Sequence, residues 1–172
     1  MTASVDIEKL AIRHADIDDA KILWEWANDP AVRGNSFNNQ AIPWESHLSW
    51  LEKVLSSPGT RLWILSVDNI PAGQIRYDRD DERTAAQISF SIAQPFRAQG
   101  LAAKIISMTV RPAMTDLGVG EIIAYVLDGN LPSSRAFIRA GFAEEESLIR
   151  DGIKCSRYRY PRNQFQGRPS IS

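Results

Sequence analysis

The chain has 172 residues, 44% of them hydrophobic and 24% charged, with a formal net charge of −1. That length supports one domain whose core needs no disulfide or metal staple, and the charge balance offers no basic field for a polyanion, which excludes nucleic-acid binding as a main role. The single cysteine, Cys155, excludes an intrachain disulfide and fits a reducing compartment, while His14 and His47 have no Cys or His at ligand spacing, so no metal site is expected.

In chain order, the opening MTASVDIEKLAIRH carries Asp6, Glu8 and Lys9 and no long apolar run. It does not read as a signal peptide, and no later segment approaches the roughly 18 apolar residues of a spanning helix. A cytoplasmic protein with no membrane partner is expected. Ile7 to Arg13 reads as a first strand. Asp16 is a good N-cap, with Asp19 three residues on, and Ile17, Ala20, Leu23, Trp24 and Ala27 follow at helical spacing up to Asn28-Asp29-Pro30. Residues 30–42 show no period and read as an irregular surface segment. Trp44, His47, Leu48, Leu51 and Leu55 mark a second helix over 43–56, stopped by Ser57-Pro58-Gly59.

Strands are expected over Arg61–Val67, Pro71–Tyr77 and Ala85–Ala93, the first two joined at Asp68-Asn69. A helix then opens near Gly100 and runs to Leu117, with Gly118 as its stop and Pro112 inside it as a kink or break. Glu121–Leu127 is a buried strand, and Asn130 starts a helix over Pro132–Ala140. Phe142–Arg150 and Lys154–Tyr160 form a hairpin around Asp151-Gly152, with Cys155 as a structural strand residue. Residues 161–172 read as a polar tail on a single domain of residues 1–160. This order predicts an α/β (α+β) fold, a mixed sheet with helices on both faces.

The chemistry concentrates in SFSIAQPFRAQGLAAKI, Ser89 to Ile105. A strand ends, a loop with Arg97, Ala98, Gln99 and Gly100 follows, and Leu101 and Ala102 open a helix. Small side chains let a ligand approach the backbone, and bared N–H groups at a helix start favour phosphate. The same pattern also serves plain strand–helix packing. It is neither a Walker loop nor the GxGxxG of a dinucleotide fold.

Arg97, Gly100 and Ala102 match the Q/R-x-x-G-x-G/A motif of the GNAT (Gcn5-related N-acetyltransferase) superfamily. Asn130, Phe137, Gly141 and Phe142, in NLPSSRAFIRAGF, match its second landmark. Together with IRHADIDDAKILWEW, the resemblance covers about residues 7–160. It implies a GNAT fold of about seven strands, with the fourth and fifth splayed, and acetyl-CoA as acyl donor. Ile92 and the 97–102 loop would hold the pantetheine arm and pyrophosphate. Asn130 would bond the cofactor region or simply cap its helix. One departure matters: Phe137 stands where many members carry a Tyr that protonates the leaving thiolate, and Phe donates no proton.

The attacking amine must be neutral, and a base within reach suffices. Candidates are Glu45 and His47, each of which also has a structural reading, as a first-turn carboxylate and as a core histidine. Main-chain N–H groups near Ile92 would stabilise the oxyanion. In this family the segment before the second helix shapes the acceptor pocket, which points to Arg33, Asn35, Ser36 and Trp44. The tryptophans serve either as a stacking wall or as core. WANDPAVRGNSF and IPWESHLSWL resemble acetyltransferases of amino-sugar nucleotides in pseudaminic-acid-type pathways, with Arg33 or Arg76 a partner for the diphosphate. The expected partner is a small-molecule amine, which the resemblance implies is a nucleotide-linked sugar; a homodimer is compatible. A protein N-terminal acetyltransferase of the ribosomal-protein branch and a non-catalytic acyl-CoA-binding module are the alternatives.

Overall fold

Strand β1 (Leu10–His14) is the first element of a computed structural model that describes residues 9–161. The start of the expected first strand and the tail beyond Pro161 lie outside those residues. A capping box joins β1 to the first helix: Asp16 caps a 3₁₀ turn at Ile17–Asp19, and the Asp19 carboxylate accepts from the Asp16 N–H. Asp19 is buried and takes a two-pronged bond from Arg13, 2.7 Å on each side, which holds its carboxyl below the usual carboxylate range. Helix α1 (Ala20–Ala27) follows.

The expected irregular segment contains a short helix, α2 (Pro30–Gly34), capped by Asp29 with Pro30 in its first turn. Five residues are too few to show a period, but Asp-Pro is itself a helix-start signal. Helix α3 (Trp44–Ser56) is followed by β2 (Thr60–Val67), β3 (Ile70–Arg79) and β4 (Ala85–Ile92). Asp68 and Asn69 both take positive φ, as a tight hairpin turn requires. Helix α4 (Leu101–Leu117) runs on through Pro112 without the break that was one of the two expectations there, and ends at left-handed Gly118. Then come β5 (Glu121–Leu127), α5 (Leu131–Arg139), β6 (Ala143–Arg150) and β7 (Ile153–Pro161).

The strands form one seven-stranded sheet in the order β1-β2-β3-β4-β5-β7-β6, antiparallel except for β4 beside β5. Alternation assigns its faces. Trp63, Leu65, Ile75, Tyr77, Ala86, Ile88, Ile122 and Ala124 join Ile105, Ile106 and Val110 of α4 and Phe137 of α5 in the main core. Leu62 and Ile64 face the other way and pack with Ala20, Leu23 and Leu51 of α1 and α3. Helices therefore cover both faces, and β2 lies between two apolar layers. Trp26, Trp44 and Trp50 pack against the second layer; Trp24 packs edge-on to Trp44, which stacks on His47.

Gly73 is fixed by close approach. A Cβ there would sit 2.6 Å from the Ser91 carbonyl oxygen and 3.1 Å from the Ile92 side chain, on the strand opposite. Gly73→Ala is expected to cost about 1–3 kcal/mol by forcing β3 from β4. Thermal unfolding should show a fall of about 3–10 °C for a chain of this size; an unchanged midpoint would show that the strands yield freely.

Candidate active site

Strands β4 and β5 pair at only three positions: Ala85 with Glu121, Ala86 with Ile122 and Gln87 with Ile123. Both continue past them, and β5 stays paired to β7 along its whole length. The sheet therefore splits at its centre. The Ala93 N–H donates to Ala72 O at 2.8 Å, toward β3. Main-chain groups of successive strand residues alternate sides, so those of Ile88, Phe90 and Ile92 turn into the split. Below it, on the main-core side, Phe137 packs against Phe90, Phe142 and Tyr158, with ring centroids 5.0–6.0 Å apart.

At the open end of the split, a 3₁₀ turn at Gln94–Phe96 leads into the 97–100 loop. Ala98 and Gly100 both have positive φ, and no side chain caps α4. The space in front of the Gly100 Cα is open. The first N–H groups of α4 thus lie bare at the positive end of a long helix, as an anion site requires. The expected residues Ile92, Arg97, Ala98, Gln99, Gly100, Leu101 and Ala102 are brought together here. Arg97 has a different task from the one its charge suggests. Its Nε donates to Ile92 O at 2.9 Å and its Nη2 pairs with Asp29 at 3.0 Å, tying the loop to the start of α2. Asn130 caps α5, accepting from the Ser133 N–H at 3.3 Å, and its Nδ2 is left as a donor. Phe137 is buried in the core.

The acceptor-side expectations need correction. His47 is 2% exposed, its Nε2 meets Ala20 O at 2.8 Å, and burial lowers its pKa. It bridges α3 to α1 and reaches no solvent, so it is not a base. Its place was implicit in the period that put it with Leu48 and Leu51. Glu45 lies on the outer face of α3 with exposed Ser49 and Glu52, and no contact brings it to the split. Trp44 is part of the second apolar layer. Arg33 donates to Ala27 O, Asn38 O, Gln40 O and Ser36 Oγ, so its charge holds the 35–43 loop rather than a diphosphate. Ser36 Oγ donates to Val32 O and Asn35 Nδ2 to Ala31 O, closing α2. Arg76 pairs with Asp78 at 2.7 Å and lies over Trp50.

Other polar residues line the α1–α3 face beside the split. Gln87, Ser89 and Ser91 line the α1–α3 face of β4, and Gln74 Nε2 donates to Ser91 Oγ at 3.3 Å. Arg150 of β6 donates to Gln87 Oε1 and packs on Phe37 of the 35–43 loop and on Tyr125 of β5. The alternation in QISFSIA puts polar side chains on one face of the strand, which is a local signal in the sequence; the Arg150 contacts join distant segments and leave none. Among the described residues, no group of three or more His, Cys, Asp or Glu is placed to hold a metal, and no helix is long and apolar enough to cross a membrane.

A family profile for the acetyltransferase (GNAT) domain matches residues 9–143, and the chain belongs to that family. As a GNAT enzyme it is an acetyl-CoA-dependent N-acetyltransferase. No curated protein matches it significantly. Solved structures share its fold at low identity. Spermidine N-acetyltransferase from Vibrio cholerae, in complex with CoA and spermine, superposes with a TM-score of 0.82 at 15% identity, covering 91% of this chain and 98% of that one. The aminoglycoside acetyltransferase AAC(6')-Ib, with ribostamycin and CoA, gives 0.80 at 17%, covering 95% and 99%. RimL, a ribosomal-protein α-N-acetyltransferase with CoA, gives 0.78 at 15%, covering 91% and 96%.

Gly100 and Gly118 bracket α4 with similar positive φ and open space at each Cα. Alanine at either should cost about 1 kcal/mol of stability. Only Gly100→Ala places a methyl at the bared N–H groups, and it should weaken CoA binding at least about tenfold by calorimetry. Equal affinities in the two variants would move the anion site elsewhere. His47, neutral when folded, should make stability fall as pH drops below its unfolded value of about 6.5, down to its lowered folded value. His47→Gln should flatten the slope of unfolding free energy against pH in that window; an unchanged slope would mean the ring is already free to ionise.

Proposed function

We propose that this chain acetylates a primary amine of a small molecule, with an amino-sugar nucleotide as the preferred acceptor. The observation that carries the reading is the split between β4 and β5, which turns main-chain donors and acceptors of a central strand toward a ligand. Extended amides laid along Phe90 and Ile92 would satisfy those groups as a neighbouring strand does. A diphosphate would meet the start of α4. The bare N–H groups and the open space at Gly100 fit that use. The roles of Ile92, the 97–102 loop and Asn130 toward CoA are assigned on this basis.

Acetyl-CoA supplies an activated thioester, and this chain's residues position and stabilise. The N–H groups of Phe90 and Ile92 point into the split and are the donors for a developing oxyanion. The face of β3 and β4 toward the acceptor offers the amide of Gln74, the hydroxyls of Ser89 and Ser91, and the Arg76–Asp78 pair. We assign none of these the role of base; the amine enters neutral. For an alkylamine with a pKa near 10 this costs about 4 kcal/mol at neutral pH, and less for a sugar amine. Phe137 leaves the thiolate to depart unassisted, which a thiol pKa near 8.5 permits.

Acceptor size is read from the 35–43 loop. Trp24 and Asn28 pin its end at Ile42, and Phe37 meets Arg150. The loop thereby walls the acceptor side, which favours a small molecule over a protein N-terminus. Spermine and ribostamycin, bound in two structures of this fold, are small amines.

The test is thiol release from acetyl-CoA with nucleotide-linked amino sugars, free amino sugars, polyamines and N-terminal peptides. Turnover on sugar nucleotides with none on peptides is expected; efficient turnover on peptides alone would overturn the proposal. The pH–rate inflection should move with the pKa of the acceptor amine. An inflection that stays fixed across acceptors would reveal a base on the protein.

A further inference from the structure

We infer that Arg150 reads the acceptor by binding an oxyanion group, phosphate or carboxylate, that the amine substrate carries. The inference deepens the acetyltransferase reading above and rests on it.

A cavity of about 440 Å³ lies on the α1–α3 face, where the ends of β3 and β4 meet β5 and β7. Its lining includes Asp78, Asp80, Thr84, Gln87, Tyr125 and Arg157. Arg150 touches two of these. Its Nη1 donates to Gln87 Oε1 at 3.0 Å, and its guanidinium carbon lies 4.3 Å from the Tyr125 ring centroid and 5.4 Å from that of Phe37.

The carboxylates here are already matched. Asp78 accepts from Arg76 at 2.7 Å and from Thr60 at 3.1 Å. Asp80 accepts from the Thr84 and Ala85 N–H groups and the Thr84 hydroxyl. Glu121 pairs with Arg159 at 3.4 Å. Arg157 pairs with Glu145 at 3.0 Å, although its Nε is buried without a partner. Arg79 donates to Leu117 O.

Arg150 differs from them. Its nearest carboxylate, Asp151, is 3.9 Å away, and its side chain keeps 36% exposure. Of its five N–H donors, the one to Gln87 is bonded. The two rings and Gln87 hold the guanidinium in place before any ligand arrives, which lowers the entropic cost of binding. A planar fork of this kind matches phosphate or carboxylate and repels a polyammonium chain. The acceptor side is thus built for an anionic amine, not for a polycation.

The experiment measures kcat/KM with acetyl-CoA for glucosamine, its phosphate ester, glucosaminic acid, a nucleoside-diphosphate amino sugar and spermidine. The unaltered protein should prefer acceptors bearing an anion over glucosamine by about 10- to 100-fold, the range of one charge-assisted contact. Phosphate and carboxylate acceptors are separate arms, so the preferred anion is identified. Arg150→Gln should erase most of that preference through a higher KM for the anionic acceptors, whose kcat/KM should fall about 10- to 100-fold further than that of glucosamine. Acetyl-CoA affinity and thermal midpoint serve as folding controls. Loss of glucosamine and anionic turnover in equal measure would overturn the inference in favour of a structural role. If Arg150→Gln fails to fold, the preference of the unaltered protein decides: a ratio near one, or faster turnover of spermidine, sinks it. No thiol release with any amine would instead sink the acetyltransferase reading.

Discussion

Two neighbouring strands that stop bonding halfway along set the terms for this molecule. A break in the middle of a sheet leaves main-chain N–H and C=O groups without their usual partners, and such groups are costly to bury unsatisfied. The fold isolates the break instead of spreading it. β5 remains fully paired to β7 on its far side, and β4 to β3. The aromatic cluster around Phe137 fills the volume beneath. What results is a cleft whose walls are backbone, so its geometry depends little on which side chains line it. That is consistent with the close superposition of structures that share 15–17% of their residues with this chain.

The α1–α3 side of the sheet is built on the opposite plan, from side chains that fasten loops. Asn28 bonds both main-chain groups of Ile42. Asp29 caps α2 and takes Arg97 from the loop before α4. Arg33 gathers three carbonyl oxygens, which a guanidinium does better than an ammonium because its donors fan out in a plane. Residues with the chemical equipment to bind a ligand serve here as struts. The residues proposed to face the ligand, Gln87, Tyr125 and Arg150, come from three separate strands.

That division explains what could be read in advance. Turn residues placed β2, β5, α4 and the last hairpin within a residue or two, because Asp68-Asn69, Gly118 and Asp151-Gly152 adopt backbone angles that few other residues tolerate. The turn before α4 was legible for the same reason: small residues and a glycine at a helix start are a local signal. Helix α2 escaped notice because one turn has no period. Helical spacing correctly placed His47 with apolar neighbours, yet its chemistry suggested a base; burial at 2% exposure decides for the bland reading. Arg150 and Gln87 stand 63 residues apart in the chain, and no pattern within one segment foretells such a meeting.

Cys155 is the chain's only cysteine, and it sits on β7 at 1% exposure, with burial pushing its thiol pKa up. A shielded, protonated sulfur reacts slowly with disulfide reagents and electrophiles. Colorimetric titration of liberated sulfhydryl can therefore follow this enzyme against a near-silent protein background. For the same reason, a cysteine introduced at a surface position would be the one labelled, so spectroscopic reporters could be attached without first removing the native residue.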